Sequence, residues 1–175
     1  LSAHARNDEN DPLGAAGLIT SGRMEEDPDF SPDGTKVIFK QDRTDLWTID
    51  LQSFVLEQIT TDGNTTEESG PRISPDLDVD DQSDADDPWV AYWTGSAGTA
   101  DIVRRRLSGG TTEVLVNNPG IQDKDPAYLD KDRLVYSRWS NATDQDDEIY
   151  LHDLDSSTDT AAAFNRTGTE NDSDP

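Results

Sequence analysis

The sequence contains no cysteine, which excludes disulfide bonds and thiolate metal sites and leaves the redox compartment undefined. No apolar run approaches the roughly 18 residues that cross a bilayer, so no membrane-spanning segment is predicted. No stretch shows a 3.6-residue apolar period of useful length, so we predict essentially no helix. No signal peptide opens the chain, and a mature secreted protein would also lack one.

Basic residues are scarce. Lys and Arg number 14 against 38 Asp and Glu, which gives a formal net charge of −24. A surface of this sign repels phosphate groups, so we expect binding to neither nucleic acid nor an anionic membrane. Two interpretations of the acidity stay open and are compatible. One is the solvated, halophilic surface of a protein in concentrated salt, where charges are screened over a few ångströms; the other is a set of cation sites.

Recognisable catalytic motifs are also missing. The two histidines, His4 and His152, are far apart in the sequence, and His152 fits an ordinary residue near the end of a strand. The Gly-Ser-Ala-Gly segment at 95–98 has the wrong spacing for a nucleophile elbow and is predicted to form a hairpin turn. No Gly-rich phosphate loop precedes a helix, and carboxylate pairs are too frequent to mark an acid–base couple. No catalytic residue is therefore predicted.

The main positive feature of the sequence is a repeat. The clearest copy begins with Asp-Pro-Asp at 27–29 and continues into Ser-Pro-Asp-Gly at 31–34. Weaker copies begin at Pro71 and with Asp-Pro at 125–126. Repeats of about 40 to 50 residues that hold four short strands are typical of β-propeller blades. The fold class is therefore predicted as all-β, with about three propeller blades of four antiparallel strands each.

The repeat divides the chain into successive segments. Residues 1–16 are predicted to form a flexible tail or linker, and residues 17–175 are predicted to form blades. These are the last strand of a preceding blade at 17–23, three blades at 24–66, 67–120 and 121–170, and the start of a further blade at 171–175. The predicted strands are 17–20, 29–31, 36–40, 45–51, 55–60, 89–93, 101–107, 112–116, 127–129, 133–137, 148–153 and 161–165.

The first copy resembles the TolB-like propeller repeat. The matching stretches are Asp-Pro-Asp-Phe-Ser-Pro-Asp-Gly-Thr-Lys-Val-Ile-Phe at 27–39, Asp-Leu-Trp-Thr-Ile-Asp-Leu at 45–51 and Gln-Ile-Thr at 58–60, with Asp-Ile-Val at 101–103 and Glu-Ile-Tyr at 148–150 in the third-strand position of the other copies. The resemblance covers about residues 17–165 and departs from the pattern where Asp76 is not followed by Gly. It implies a β-propeller, which in this family normally has six to eight blades.

Three blades cannot close a ring, because an open end exposes the apolar face of a blade. We therefore expect either a piece of a longer polypeptide or copies that associate, with two sets of three blades giving six. A lone strand at one end and the Asp174-Pro175 pair at the other favour a piece of a longer chain.

Calcium is the one cofactor that the sequence suggests. Two acidic loops alternate oxygen ligands of the kind that this cation uses. Their candidate ligands are Asp78, Asp80, Gln82, Asp84 and Asp86 in the first loop, and Asp144, Asp146, Asp147 and Glu148 in the second. The first loop lacks the central Gly and the terminal Glu of the helix–loop–helix calcium site. A solvated acidic loop is the alternative interpretation of both.

The sequence contains four Asn-x-Ser/Thr sequons. They are Asn64, Asn141, Asn165 and Asn171. This number favours an exported, glycosylated protein, because such sequons are acceptor sites in secreted chains. The predicted localisation is therefore extracytoplasmic, whether periplasmic, at the cell surface or secreted.

The remaining charged residues receive structural interpretations. The acidic residues around the blade prolines are predicted to hold turns by accepting backbone N–H bonds. These residues are Glu26, Asp27, Asp123 and Asp125. The arginine run at 104–106 is the only basic cluster, and in a strand its middle member points away from the other two. Ion pairing with the acidic loops is the expected role of this run.

These observations favour a non-catalytic, extracytoplasmic propeller module. Its partner would be a protein, a glycan, or other blades of the same or another chain. The resemblance implies a second class, the propeller domain of a larger enzyme, either the gating domain of a serine peptidase or a polysaccharide lyase. A downstream nucleophile elbow would establish the peptidase, and His and Arg residues around a central funnel would support the lyase. A third possibility is a glycosylated, self-assembling surface or filament protein.

Overall fold

The computed structural model describes residues 24–42, 44–61, 66–75, 87–96, 98–140 and 147–162. Every regular element in these ranges is a β-strand, as the sequence predicts. In chain order they are β1 (Glu25–Phe30), β2 (Lys36–Gln41), β3 (Asp45–Asp50), β4 (Leu56–Gln58), β5 (Glu67–Ile73), β6 (Trp89–Ser96), β7 (Thr99–Arg106), β8 (Gly109–Val116), β9 (Ile121–Asp130), β10 (Arg133–Ser140), β11 (Asp147–Asp153) and β12 (Thr158–Ala161). The described residues contain no helix that is long and apolar enough to cross a membrane.

Each run of four consecutive strands forms an antiparallel meander. Strands β1 to β4 pair in chain order, and β5 to β8 and β9 to β12 repeat this pattern. We call these units blade 1, blade 2 and blade 3. One parallel pair, Ala100 with Gln122, joins blade 2 to blade 3. The predicted four-stranded antiparallel blades are therefore confirmed.

The turn between β1 and β2 follows directly from its residues. The Gly34 N–H donates to the Ser31 carbonyl at 2.8 Å, and Gly34 has the positive φ of 70° that a glycine adopts without strain. The Asp33 carboxylate accepts the Ser31 hydroxyl at 2.6 Å and the Thr35 N–H at 2.9 Å. These bonds, the Ser31 hydroxyl first, lower the pKa of Asp33. This is the turn that the sequence Ser-Pro-Asp-Gly at 31–34 predicts, since Pro favours its second position and Gly its end.

Several predicted strand limits are wrong. The first strands expected at 29–31 and 127–129 are longer, and run over Glu25–Phe30 and Ile121–Asp130. Their extra residues are mostly charged, so they carry no apolar alternation to mark them. The last strand expected at 161–165 instead occupies Thr158–Ala161. It starts early because the Asp153 carboxylate accepts the N–H of Ser156 at 2.8 Å and closes a short turn.

The Ser-Gly-Gly segment at 108–110 predicts the turn of the β7–β8 hairpin, but the structure differs. The turn residues are 107 and 108, and β8 begins at Gly109, which pairs with Arg106. Gly109 and Gly110 have φ values of 114° and 100°, so they form an irregular strand opening, where a turn was expected.

Two apolar clusters hold the three blades together. The first joins blade 1 to blade 2, and the second joins blade 2 to blade 3. Their buried members are Ile38, Leu46, Ile59, Ile73, Val90, Tyr92, Val103 and Leu107 in the first, and Trp93, Ala100, Ile102, Val116 and Tyr136 in the second. The consecutive residues Tyr92 and Trp93 of β6 lie in different clusters, because successive side chains of a strand point to opposite faces. Blade 2 is therefore packed on both faces.

Some predicted segments lie outside the described residues. These are the tail at 1–16, the strand at 17–20 and the start of a further blade at 171–175.

Candidate functional site

The first strand of each blade carries a bulge at the residue that precedes a proline. Asp27, Gly70 and Asp125 hold this position, with φ values of 53°, 58° and 51°. The pairing with the following strand shifts register at this point in all three blades. A bulge removes the proline, which has no N–H, from the ladder of strand hydrogen bonds. The repeat therefore gives β1, β5 and β9 the same irregularity at the same place.

Carboxylates of blade 1 bridge to blade 2 at this bulge. Asp27 Oδ2 accepts the Ser69 hydroxyl at 2.8 Å and, more weakly, the Gly70 N–H at 3.4 Å. Asp29 accepts the backbone N–H of Ile73 at 2.7 Å. These bonds hold β1 and β5 side by side, as expected for first strands that surround a central axis.

Lys40 lies beneath this contact, with a side chain that is only 8% exposed. Its Nζ is 3.0 Å from Ser69 Oγ, 3.2 Å from Glu26 Oε2 and 3.4 Å from Glu67 Oε1. A buried ammonium group needs such partners, because its transfer from water is costly. Lys40 thus offsets part of the negative charge of the surrounding carboxylates.

Gly70 is the place where the three blades meet. A Cβ atom at Gly70 would lie 3.4 Å from Cδ1 of Trp93 and 3.5 Å from Oδ1 of Asp125. Lys124 places its Nζ 4.8 Å from the ring centroid of Trp93, a cation–π contact between blades 3 and 2. We define the inner-strand cluster as Glu26, Asp27, Lys40, Glu67, Ser69, Gly70, Trp93, Lys124 and Asp125.

The inner-strand cluster presents its carboxylates to solvent and keeps its aromatic ring inside. Four of its acidic residues are exposed, namely Glu26, Asp27, Glu67 and Asp125. Trp93 is only 8% exposed, and Lys40 is buried. Exposed carboxylates attract cationic groups and accept charge-assisted hydrogen bonds from them. The cluster can therefore bind positively charged groups at its surface.

A second charged network lies within blade 3 and takes one residue from each of its four strands. Arg138 Nε donates to the fully buried Asp123 at 2.6 Å, and an Nη of Arg138 donates to Asp159 at 3.0 Å. His152 Nδ1 lies 2.8 Å from the other oxygen of Asp159. The amide of Asn118 donates to Asp123 at 2.8 Å. Because the network joins β9, β10, β11 and β12, its evident role is to hold the blade together.

The arginine run of β7 divides between two faces, as predicted. Arg104 and Arg106 each lie 4.2 Å from the ring centroid of Trp89. Arg104 also pairs with Glu113 of the adjacent strand at 2.9 Å. The expectation that Arg104 would pair with an acidic loop is therefore wrong, since its carboxylate partner belongs to β8. Arg105 lies on the other face, beside Tyr92.

The described residues do not include Asp78, Asp80, Gln82, Asp84 and Asp86 of the first acidic loop, or Asp144 and Asp146 of the second. The four sequon asparagines, Asn64, Asn141, Asn165 and Asn171, also lie outside the described residues. Asp147 and Glu148 are described and belong to β11. Within the described ranges, no group of three His, Cys, Asp or Glu could hold a metal ion.

The prediction that the acidic residues near the prolines hold their own turns is wrong for three of them. Glu26 pairs with Lys40, Asp27 reaches the neighbouring blade, and Asp123 binds Arg138. Glu26 and Asp123 lie at paired positions of β1 and β9, where the sheet supplies their backbone partners, and Asp27 lies at the bulge of β1. Their carboxylates are therefore available to other strands.

The arrangement of blades matches solved structures of propellers. The similar structures include TolB from Acinetobacter baumannii, with 17% identity, a TM-score of 0.56, and coverage of 77% of this chain and 31% of that one. The fold is a TolB-like β-propeller. An oligogalacturonate lyase in complex with manganese matches this TolB-like propeller with 19% identity and a TM-score of 0.51, over 75% of this chain and 37% of the lyase. Prolyl oligopeptidase B from Galerina marginata matches with 15% identity and a TM-score of 0.55, over 81% and 20%.

The TolB-like propeller of this chain spans between a fifth and about two fifths of each of these structures. No protein-family profile matches the sequence, and a search of curated proteins finds no match. At these identities the structural likeness establishes the fold alone.

Sequence reasoning missed the inner-strand cluster. Its residues come from strands that are far apart in the chain, and Ser69, Lys40 and Lys124 have no motif of their own. One signal was present in the sequence. Each repeat has a polar residue, then Asp or Gly, then Pro, at 26–28, 69–71 and 124–126. An alignment of the three repeats on this triplet would have placed these residues together.

Proposed function

We propose that this chain is part of a non-catalytic propeller module that binds an extended, positively charged segment of a partner protein at the inner-strand cluster. The observation that carries the proposal is the group of exposed carboxylates on three successive inner strands, Glu26 and Asp27 on β1, Glu67 on β5 and Asp125 on β9. Spread over three strands, they match a segment with several cationic side chains better than a single ion.

The chemistry of the cluster favours a protein partner over a glycan. Sugar-binding sites commonly use an exposed aromatic ring as a stacking surface. The aromatic ring of this cluster, Trp93, is only 8% exposed and has Lys124 over its face. Lysine and arginine side chains, in contrast, form charge-assisted hydrogen bonds with carboxylates.

The place of action that we propose is outside the cytoplasm. This part of the proposal rests on the four sequons of the sequence. Intact-mass measurement of the native protein checks it, since occupied sequons add glycan mass to the chain. A native mass that contains no glycan would remove this support.

The proposed function is tested with a pair of charge-matched double variants. Glu67→Gln with Asp125→Asn removes two charges from the inner-strand cluster, and asparagine tolerates the positive φ at position 125. Glu57→Gln with Asp155→Asn removes two exposed charges on β4 and in the β11–β12 turn. The probe is a short fluorescein-labelled peptide in which lysine alternates with serine. Its affinity is measured by fluorescence anisotropy near about 0.15 M salt, where the Debye length is about 8 Å.

We expect the cluster variant to bind the peptide about five- to tenfold more weakly, because each lost surface ion pair contributes about 0.2–1 kcal/mol. The outer variant should change the affinity by less than about twofold, because Glu57 lies on the last strand of blade 1 and Asp155 in the β11–β12 turn, away from the first strands that carry the cluster. An equal loss in both double variants would show that the peptide responds to net charge alone, and the proposed site would be abandoned.

A further inference from the structure

We propose that Arg105, together with the hydroxyl groups of Tyr92 and Thr112, forms a binding site for a carboxylate group at the irregular opening of β8. This site lies on the outer strands of blade 2 and is separate from the inner-strand cluster.

Arg105 differs from Arg104, Arg133 and Arg138 in having no carboxylate partner among the described residues. Arg104 pairs with Glu113, Arg133 with Asp130, and Arg138 with Asp123 and Asp159. Among the described residues, no carboxylate forms an ion pair with Arg105, and its buried Nε has no hydrogen-bond acceptor. A half-buried guanidinium without a counter-ion is costly, so an incoming carboxylate would lower the free energy of this arrangement.

Two hydroxyl groups stand beside the guanidinium. Tyr92 OH and Thr112 Oγ1 are 3.4 Å apart, and the charge of Arg105 acts on the Tyr92 hydroxyl. Burial raises the pKa of Tyr92 above its ordinary value, and the nearby charge of Glu68 adds to this effect. Together they exceed the opposing effects of Thr112 and Arg105. Tyr92 is therefore a protonated O–H group at neutral pH. The site offers hydrogen-bond donors from three side chains.

The irregular pairing of β7 with β8 leaves room for a ligand. Arg104 pairs with Glu113 and Arg106 pairs with Gly109, so residues 110–112 bow out opposite Arg105. The position of a Cβ on Gly109 lies 3.5 Å from Nη2 of Arg105. A Cβ on Gly110 would meet no atom within 4 Å. A small group can thus approach the guanidinium past two residues that have no side chains.

Of the three consecutive arginines of β7, Arg105 alone lies on this face, since Arg104 and Arg106 lie on the other face against Trp89. A planar carboxylate accepts two parallel N–H bonds from a guanidinium, and its one negative charge is repelled less by the protein than the double charge of phosphate. The ligand class is therefore a monocarboxylate, from either a small molecule or an acidic side chain of a peptide.

The test follows the arginine Nε–H signals of the full chain by ¹⁵N-resolved NMR. The signal of Arg105 is assigned by its loss in Arg105→Lys, which keeps the positive charge. Sodium acetate replaces sodium chloride at constant ionic strength, and Arg133, already paired with Asp130 on the surface, is the internal control. We expect a saturable shift of the Arg105 signal with acetate and no saturable shift of the Arg133 signal.

Further measurements separate the ligand sources and the role of the hydroxyl group. Thr112→Val removes one hydroxyl at nearly constant volume and should weaken acetate binding about three- to tenfold. A capped Gly-Glu-Gly peptide that binds more tightly than acetate identifies a peptide side chain as the source, and equal affinities identify a small carboxylate. An Arg105 signal that does not saturate with either probe overturns the proposal. A response to inorganic phosphate as strong as that to acetate overturns the assignment to carboxylates.

Discussion

Asp159 joins an arginine and a histidine from different strands of blade 3. One of its oxygens accepts Arg138 at 3.0 Å, and the other lies 2.8 Å from His152. Burial opposes ionisation of Asp159, but the hydrogen bonds from His152 and Arg138 outweigh it and lower the pKa of Asp159. A group whose pKa is lowered by folding stabilises the folded state above its unfolded pKa, and this stabilisation is lost as the pH falls through the folded value.

We expect Asp159→Asn to destabilise the protein most at neutral pH. At pH 7 the loss should be about 1–2 kcal/mol, because two hydrogen bonds to a charged group are weakened at a partly exposed site. As the pH falls below the unfolded pKa of about 3.9, the unfolded state takes up the proton first, and the folded carboxylate follows at its lower pKa. The difference between the two proteins should therefore shrink over this range. Urea unfolding at pH 7 and at about pH 3.5 measures the two differences.

The control for this measurement is Asp155→Asn in the same hairpin. Asp155 is exposed, so its replacement changes the net charge equally without removing the Arg138 and His152 contacts. A loss of stability in Asp159→Asn that stays constant with pH would contradict the role assigned to its ionised form.

At the scale of single elements, the β6–β7 hairpin depends on one close backbone approach. Gly95 pairs with Ala100, and a Cβ at Gly95 would lie 2.2 Å from the carbonyl oxygen of Thr99 and 2.8 Å from Cα of Ala100. Gly98, in the same hairpin, has a φ of 98° and open space around it. The two glycines thus serve different purposes, close contact at one and backbone conformation at the other.

Their alanine variants should therefore differ in stability. Gly95→Ala forces the two strands apart and should cost about 3 kcal/mol, at the upper end of the range for overpacking. Gly98→Ala strains only its own backbone and should cost about 1 kcal/mol. Urea unfolding followed by tryptophan fluorescence gives both values. Similar losses in the two variants would mean that β6 and β7 can separate easily at this point.

The elements also show how far the sequence predicts this fold. Strands β2, β3, β6 and β10 are predicted close to their observed positions, because apolar residues such as Ile38 and Leu134 fill both blade faces. The first strands β1 and β9 are predicted too short, since charged residues and prolines are typical of loops. They are strands nevertheless, because the bulge at the residue before each proline keeps the missing N–H out of the ladder.

At the scale of the whole molecule, charge dominates the response to solvent. A net charge of −24 on 175 residues destabilises a compact state through self-repulsion. The ion pairs of the inner-strand cluster are few by comparison, and exposed pairs contribute little. Salt should therefore stabilise this protein by screening repulsion more than it weakens attraction.

We expect the melting temperature to rise between about 0.05 M and 1 M sodium chloride, as the Debye length falls to about 3 Å. A gain of about 2 kcal/mol would raise it by about 4–8 °C in a chain of this size. Thermal unfolding followed by circular dichroism measures the change. A melting temperature that is constant or falls over this range would contradict an acidic surface that depends on salt.

The inner-strand cluster could not be predicted from any one repeat, and only the alignment of all three on the triplet before each proline points to it. Asp27, Ser69 and Asp125 come together only because three blades stack around one edge, and the packing of blades is not contained in any single repeat. The sequence instead predicted the acidic loops as candidate sites, because closely spaced carboxylates suggest cation binding without knowledge of the fold. The contacts between the cluster residues, in contrast, are given only by the packing of the blades.

The alternation along β6 has a mechanical consequence. Tyr92 and Trp93 belong to the clusters on the two faces of blade 2, so unfolding of β6 would expose the apolar surfaces of blade 1 and blade 3 together. Separation of blade 1 or blade 3, in contrast, would break only the one apolar cluster that joins it to blade 2. Backbone amides should thus exchange with deuterated water most slowly at the middle of the described chain, and progressively faster towards its two outer sheets.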